Sequence, residues 1–169
     1  YPAYIALADL TGNPEFAQGA KEILEWLSKA KVFNRKTGRE QIGLLDPETG
    51  TLAYHALYNN ALGRWELLPE FATDSAGTWT ISSLGPETID RLWGPGAAFR
   101  MWRTIRQRSG RTANFEPARL KLPLAGVDFT DVDVFPGEGL ISWEWTAGAI
   151  NAVKQLVAHY RKIGINEVI

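Results

Sequence analysis

Glu144 is the residue whose surroundings most favour chemistry, because it lies between Trp143 and Trp145 at the predicted start of a helix. A carboxylate can act as a general acid or base, and an indole face can stack on a sugar ring. The alternative is an acid in the first helical turn that only complements the helix dipole. The two indoles lie about 200° apart around a helix, so they cannot both face the core.

Asp74 is the second candidate, because Trp79 follows it about one helical turn later. Its carboxylate suits acid–base work, although Asp is also among the best N-cap residues. Glycoside cleavage generally uses two carboxylates at a defined separation. Since Asp74 and Glu144 both lie at predicted helix starts, we expect them to form a catalytic pair on one face of the molecule.

Aromatic and amide side chains supply the predicted substrate contacts. Trp79, Trp143 and Trp93 are candidate stacking platforms for sugar rings. Tyr58 and Asn59 lie in a polar and aromatic loop that suits a ligand rich in hydroxyl groups, or that simply packs.

Asp128 and Asp131, with Asp133, form an acidic cluster before the last predicted helix. These carboxylates could contact sugar hydroxyls or supply a second catalytic acid, and the alternative is a solvated acidic loop. Their spacing does not match the twelve-residue calcium loop, so we predict no metal site. A further cluster of arginines is interpreted as a solvated helix face whose charges suit a helix C-terminus. It comprises Arg100, Arg103, Arg106, Arg108 and Arg111.

Helical periodicity dominates both ends of the chain. An apolar stripe beginning at Tyr4 ends at Gly12, and Asn13 and Pro14 then suit the cap and first position of a second helix. The short link makes these two helices an αα-hairpin. Near the other end, Ser142 is the predicted cap of a long helix whose apolar residues recur at helical spacing through Tyr160.

Between these helices, residues 32–71 contain two turn sequences flanked by short apolar pieces, which predicts a long loop or small β-hairpin insertion. The stretch from Thr112 to Gly139 is predicted to be irregular. We therefore predict a mainly α fold of antiparallel helical hairpins, forming a single domain over residues 1–169. Both ends resemble interrupted elements, so we expect the native chain to be longer.

Composition excludes several classes of site. The chain of 169 residues has no cysteine and only two histidines, which removes thiolate and multi-histidine metal sites. Its net charge of −1 gives no reason to expect nucleic acid as a partner. No apolar run is long enough to span a bilayer, and no motif predicts a cofactor.

Three segments carry a resemblance to a known family. The turn Leu7–Phe16 resembles the tight hairpin turn of (α/α)6 toroid, or six-hairpin, glycosidases, and Asp74–Trp79 resembles their aspartate-to-tryptophan helix starts. Residues 143–147 are similar to their Trp-Glu-Gly-Thr-Ala pattern, with Trp145 in place of the glycine. The resemblance implies part of a toroid whose cleft binds poly- or oligosaccharides, completed by further chain or another subunit.

Together these observations predict a glycoside hydrolase or related polysaccharide-processing enzyme. The alternatives are a non-catalytic sugar-binding module and a structural or assembly subunit built from helical hairpins. The resemblance favours an extracellular or periplasmic location.

Overall fold

The structure, a computed structural model, describes residues 1–115, 122–131 and 141–165. The chain forms two compact units. Unit 1 comprises residues 1–48 and 52–70, and unit 2 comprises residues 49–51 and the described residues from 71 onward. No helix in these described ranges combines the length and the apolar character that crossing a membrane requires.

Unit 1 begins with the predicted αα-hairpin, α1 (Pro2–Thr11) and α2 (Pro14–Lys29). Gly12 adopts the left-handed conformation, with φ 66°, that ends the first helix, and the Asn13 side chain accepts a hydrogen bond from the Glu15 N–H at 2.9 Å. Tyr4 packs edge-to-face on Phe16 across the hairpin.

A four-stranded sheet completes unit 1. Its strands are β1 (Lys31–Asn34), β2 (Arg39–Ile42), β3 (Ala56–Asn59) and β4 (Arg64–Leu67). The order is β2-β1-β4-β3, with two antiparallel hairpins joined by the parallel pairing of β1 and β4. The predicted insertion is therefore two hairpins that share one sheet.

Unit 2 is built around one long helix. A π-helical turn over Asp74–Thr78 leads into α3 (Trp79–Leu84), α4 (Pro86–Trp93) and α5 (Ala97–Ser109). A hairpin of β5 (Gly110–Phe115) and β6 (Leu122–Val127) follows, and α6 (Trp143–Lys162) ends the unit. The fully buried side chains of the core include Ile81, Ile89, Met101, Ile105 and Leu156.

The prediction of a mainly α toroid is wrong. The described residues form six α-helices and two sheets, one mixed with four strands and one with two, which makes the fold mixed α/β. The stretch predicted to be irregular, Thr112 to Gly139, contains most of β5 and all of β6, where Pro123 pairs with Asn114. Proline is tolerated there because both strands of a two-stranded ribbon are edge strands.

Candidate functional site

Asp74 opens the π-helical turn, and its carboxylate faces local donors. The Ser75 N–H and hydroxyl both donate to Asp74 Oδ1, at 2.6 and 3.0 Å. The backbone bond of the wide turn reaches five residues back, from the Trp79 N–H to the Asp74 carbonyl, and the Thr80 hydroxyl donates to the next carbonyl, that of Ser75, at 2.7 Å. Single π-helical turns are found frequently at functional sites.

The π-helical turn depends on a close helix contact. A Cβ added to Gly77 would lie 2.6 Å from Ile105 Cγ1, so only glycine lets α5 approach this closely. The buried core of unit 2 thus fixes the backbone that carries Asp74.

Glu144 lies in the first turn of α6, as predicted. The Ser142 side chain accepts a hydrogen bond from the Trp145 N–H at 3.4 Å, which fixes the start of the helix. Glu144 is exposed, and Trp143 is 71% exposed. Trp145 is half-buried and stacks on Trp79, with ring centroids 6.2 Å apart and planes at 21°.

One short segment ties the two helix starts together. The Thr73 N–H donates to the Phe129 carbonyl at 3.0 Å, and the Ser142 N–H donates to the Val127 carbonyl at 3.1 Å. These two carbonyls belong to residues only two positions apart, about 7 Å in an extended chain. The residues that precede Asp74 and that cap α6 therefore lie at the same end of unit 2.

The helices that carry the two carboxylates also run in the same direction. A Cβ at Gly148 would lie 3.1 Å from Cδ1 of the Trp79 indole, and further along both helices the Gln155 amide donates to the Ser82 carbonyl at 3.2 Å. Asp74 and Glu144 each lie about one turn before the Trp79–Gly148 contact. The structure thus brings the two predicted catalytic residues to neighbouring helix starts.

Unsatisfied polar atoms accompany this site. Among the described residues, neither Thr73 Oγ1 nor Trp145 Nε1 has a hydrogen-bond partner, although both atoms are buried. Such atoms are uncommon, and each calls for a specific explanation such as a bound water or ligand. Trp79 remains 45% exposed beside them.

Asp128 and Asp131, which were predicted to contact sugar, each form an ion pair with an arginine. Asp128 is fully buried, and its Oδ2 lies 3.5 Å from Arg111 Nε. Asp131 accepts from Arg108 through Nε at 2.7 Å and Nη2 at 2.6 Å. These pairs attach the chain after β6 to the end of α5 and the start of β5, so the two aspartates position the segment that joins the helix starts. A sugar contact by either remains a prediction, and Asp133 lies outside the described residues.

Trp93 does not lie at the carboxylate end. It ends α4 one turn after Asp90, whose carboxylate accepts from the Tyr160 hydroxyl at 3.0 and 3.2 Å. Tyr160 follows Glu144 by sixteen residues, which is about 24 Å along α6. The predicted platform is therefore near the opposite end of that helix.

Tyr58 and Asn59 belong to unit 1, where both side chains have structural partners. The Tyr58 ring meets Trp65 edge-to-face at 5.3 Å. Asn59 Oδ1 accepts from the Ala61 and Leu62 N–H groups at 3.1 and 3.2 Å, which fixes the β3–β4 turn. Their predicted role in binding substrate remains a prediction.

Sequence reasoning missed two charged centres. In unit 1, Glu66 is 3% exposed and accepts from Arg35 at 2.6 and 2.7 Å and from Arg64 at 2.9 Å. Hydrogen bonds from Arg35, and then from Arg64, hold the pKa of the Glu66 carboxyl below its ordinary value of 4.5. The alternation of charged and apolar residues in Arg64–Leu67 was the available signal.

The other missed centre is Asp90 in unit 2. Besides the Tyr160 hydroxyl, its carboxylate accepts from the N–H groups of Gly96 at 3.1 Å and Ala98 at 2.9 Å, so it caps α5 from a neighbouring helix. Burial, and then the hydrogen bond to Asp90, raise the pKa of Tyr160 from 10.0 to about 12.

Within the described ranges, no three His, Asp or Glu side chains converge as a metal site would require. Comparisons of the chain with protein-family models, with curated proteins and with solved structures give no significant match.

Proposed function

We propose that the protein cleaves glycosidic bonds, with Asp74 and Glu144 as the paired carboxylates and Trp79 as a stacking platform. The observation that carries the proposal is the position of both carboxylates at adjacent helix starts, tied together by Val127–Phe129. The local resemblance of residues 74–79 and 143–147 to the helix starts of glycosidases supports it.

The two carboxylates have different surroundings, which suggests different roles. Asp74 is partly buried and already accepts two hydrogen bonds, which suits a base that takes a proton from water. We assign Glu144 as the acid that donates a proton to the glycosidic oxygen, because the exposed indole of Trp143 beside it offers a stacking face for the sugar. The water oxygen then bonds to the anomeric carbon as the bond to the leaving sugar breaks.

Reducing-sugar release from a broad polysaccharide panel tests this function. We expect release by the unmodified protein, and a loss of about 10²-fold or more in Glu144→Gln and in Asp74→Asn. Glu87→Gln is the matched control, because Glu87 is an exposed acid in the first turn of α4 without a stacked indole pair. Unmodified rates in both Glu144→Gln and Asp74→Asn would exclude the proposed pair.

A non-catalytic sugar-binding module is the second candidate. The observation that favours it is a group of exposed aromatic side chains in unit 1, where Trp26, Tyr58 and Trp65 are 38%, 48% and 37% exposed. Sugar binding that survives in Glu144→Gln, without turnover in any form of the protein, would favour this function over catalysis.

A further inference from the structure

A second site is formed by a cavity of about 500 Å³ in unit 2, between α5, the β5–β6 hairpin and α6. This volume lies within the usual range for small-molecule sites, about 300–1,000 Å³. Apolar side chains, among them Trp102, Ile150 and Val153, line it. Ile150 lies about 200° around α6 from Gly148, so the cavity is on the opposite side of that helix from the carboxylate pair.

Close contacts between β6 and the start of α6 fix the walls of this cavity. The Val127 N–H donates to Thr146 Oγ1 at 3.1 Å, which attaches β6 to α6. A Cβ at Gly126 would lie 2.6 Å from the same Thr146 oxygen and 2.5 Å from Ile141 Cγ2, so glycine is required for this approach. The cavity is therefore a feature of how the hairpin docks on the helix.

The charged side chains that line the cavity in the described part of the chain are cationic. Arg106, Arg111 and Lys154 line it, and none of its lining residues in the described ranges is acidic. Arg111 lies beside the buried Asp128 carboxylate, with 3.5 Å between Nε and Oδ2, and so belongs to the wall. Arg106 and Lys154 are exposed and come from different helices, α5 and α6. An apolar interior with two cationic side chains at its edge complements a molecule with an apolar body and one negative end.

We propose that this cavity binds a small apolar monoanion, a carboxylate carried on a hydrocarbon or aromatic body. The apolar body lies against Trp102, Ile150 and Val153, and the carboxylate lies between Arg106 and Lys154. This ligand differs in chemistry from a neutral sugar, and the proposal does not depend on the function of Asp74 and Glu144.

Calorimetric titration with octanoate and with 1-octanol tests the proposal, since the two probes share a chain and differ in charge. We expect one octanoate per protein, bound at least tenfold more tightly than octanol and more weakly as salt is added. The double variant Arg106→Gln/Lys154→Gln should bind octanoate at least tenfold more weakly and octanol within twofold of the unmodified protein. Arg103→Gln, an exposed arginine of α5 outside the lining, is the matched control and should bind octanoate normally.

A second variant tests the location of the site. Ile150 is 54% exposed and lines the cavity, so Ile150→Glu introduces a negative charge without removing a buried side chain. We expect it to abolish octanoate binding while the far-ultraviolet circular dichroism stays unchanged. Equal affinities for octanoate and octanol, no binding of octanoate, or unchanged octanoate binding in the folded double variant would each overturn the proposal.

Discussion

Both units contain grouped aromatic side chains, but the rings meet in different geometries. In unit 1, Trp65 meets Trp26 and Tyr58 edge-to-face, with interplanar angles of 77° and 65°. In unit 2, Trp79 and Trp145 are stacked at 21°. Both arrangements are favourable for aromatic pairs, so the geometry alone does not explain the difference.

The surroundings of the rings distinguish the two groups. Trp65 lies in a strand between β1 and β3, and it joins the sheet to α2 through Trp26. Trp79 follows a π-helical turn that carries a carboxylate, and its exposure, 45%, lies between the values for Trp65 and Tyr58, so exposure does not separate the two groups. These contacts indicate that the unit 1 group stabilises its unit, whereas the proposal that the unit 2 pair receives a ligand rests on the carboxylates beside it.

Replacing Trp65 and Trp79 separately is the strongest test of this difference. Trp65→Ala should lower the free energy of unfolding by about 3 kcal/mol, because it removes a large ring packed on both sides. Trp79→Ala should lower it by less than Trp65→Ala but by at least about 1 kcal/mol, the value of one aromatic pair beyond the area it buries, and should weaken binding of the best oligosaccharide substrate at least tenfold. Urea unfolding and calorimetric titration measure the two effects.

The comparison would fail if Trp65→Ala weakened sugar binding more than Trp79→Ala did while remaining folded. That result would move the ligand site to unit 1 and would favour the sugar-binding module as the function.

Local signals predicted three helix ends correctly. The left-handed glycine at position 12, the Asn13 cap and the Ser142 cap all have the roles that their sequence context indicates. Each depends on residues within about one turn of the chain, which is why the sequence suffices. The predicted positions of Asp74 and Glu144 at helix starts follow from the same local rules.

Long-range pairing was not predictable in the same way. The parallel pairing of β1 and β4 joins Val32 to Trp65, and the carbonyls of Val127 and Phe129 join two helix starts that are distant in sequence. Periodicity carries no information about such partners, because it reports only which face of an element is apolar. This is why the prediction of a toroid was wrong although the individual helices near both ends were predicted.

Each unit contains a buried ionisable group that should make its stability depend on pH. In unit 1 this group is Glu66, and the loss of stability is expected in acid. Since the pKa of Glu66 is lowered from 4.5, its stabilising effect is fully present above that value and is lost as the pH falls through the lowered pKa. Glu66→Gln should therefore lower the midpoint of thermal unfolding at pH 7, and the difference should shrink below about pH 4.5. Glu40→Gln, an exposed acid of β2, is the control. A difference that stays constant down to pH 2 would show that the charge of Glu66 contributes nothing.

Unit 2 should lose stability at alkaline pH, and this is the smallest of the predicted effects. The pKa of Tyr160 is raised from 10.0 to about 12, so its contribution is complete below pH 10.0 and is lost as the pH rises towards about 12. Tyr160→Phe removes the hydrogen bond to Asp90 and should cost about 1 kcal/mol of unfolding free energy at pH 7. Between pH 10 and 11.5 the unmodified protein should lose stability faster than Tyr160→Phe in urea unfolding, so the two curves of unfolding free energy against pH converge.

The control is Tyr4→Phe, a change at an exposed tyrosine, which should show the same pH dependence as the unmodified protein. Parallel curves for Tyr160→Phe and the unmodified protein would mean that Tyr160 ionises as readily in the folded chain as in the unfolded one.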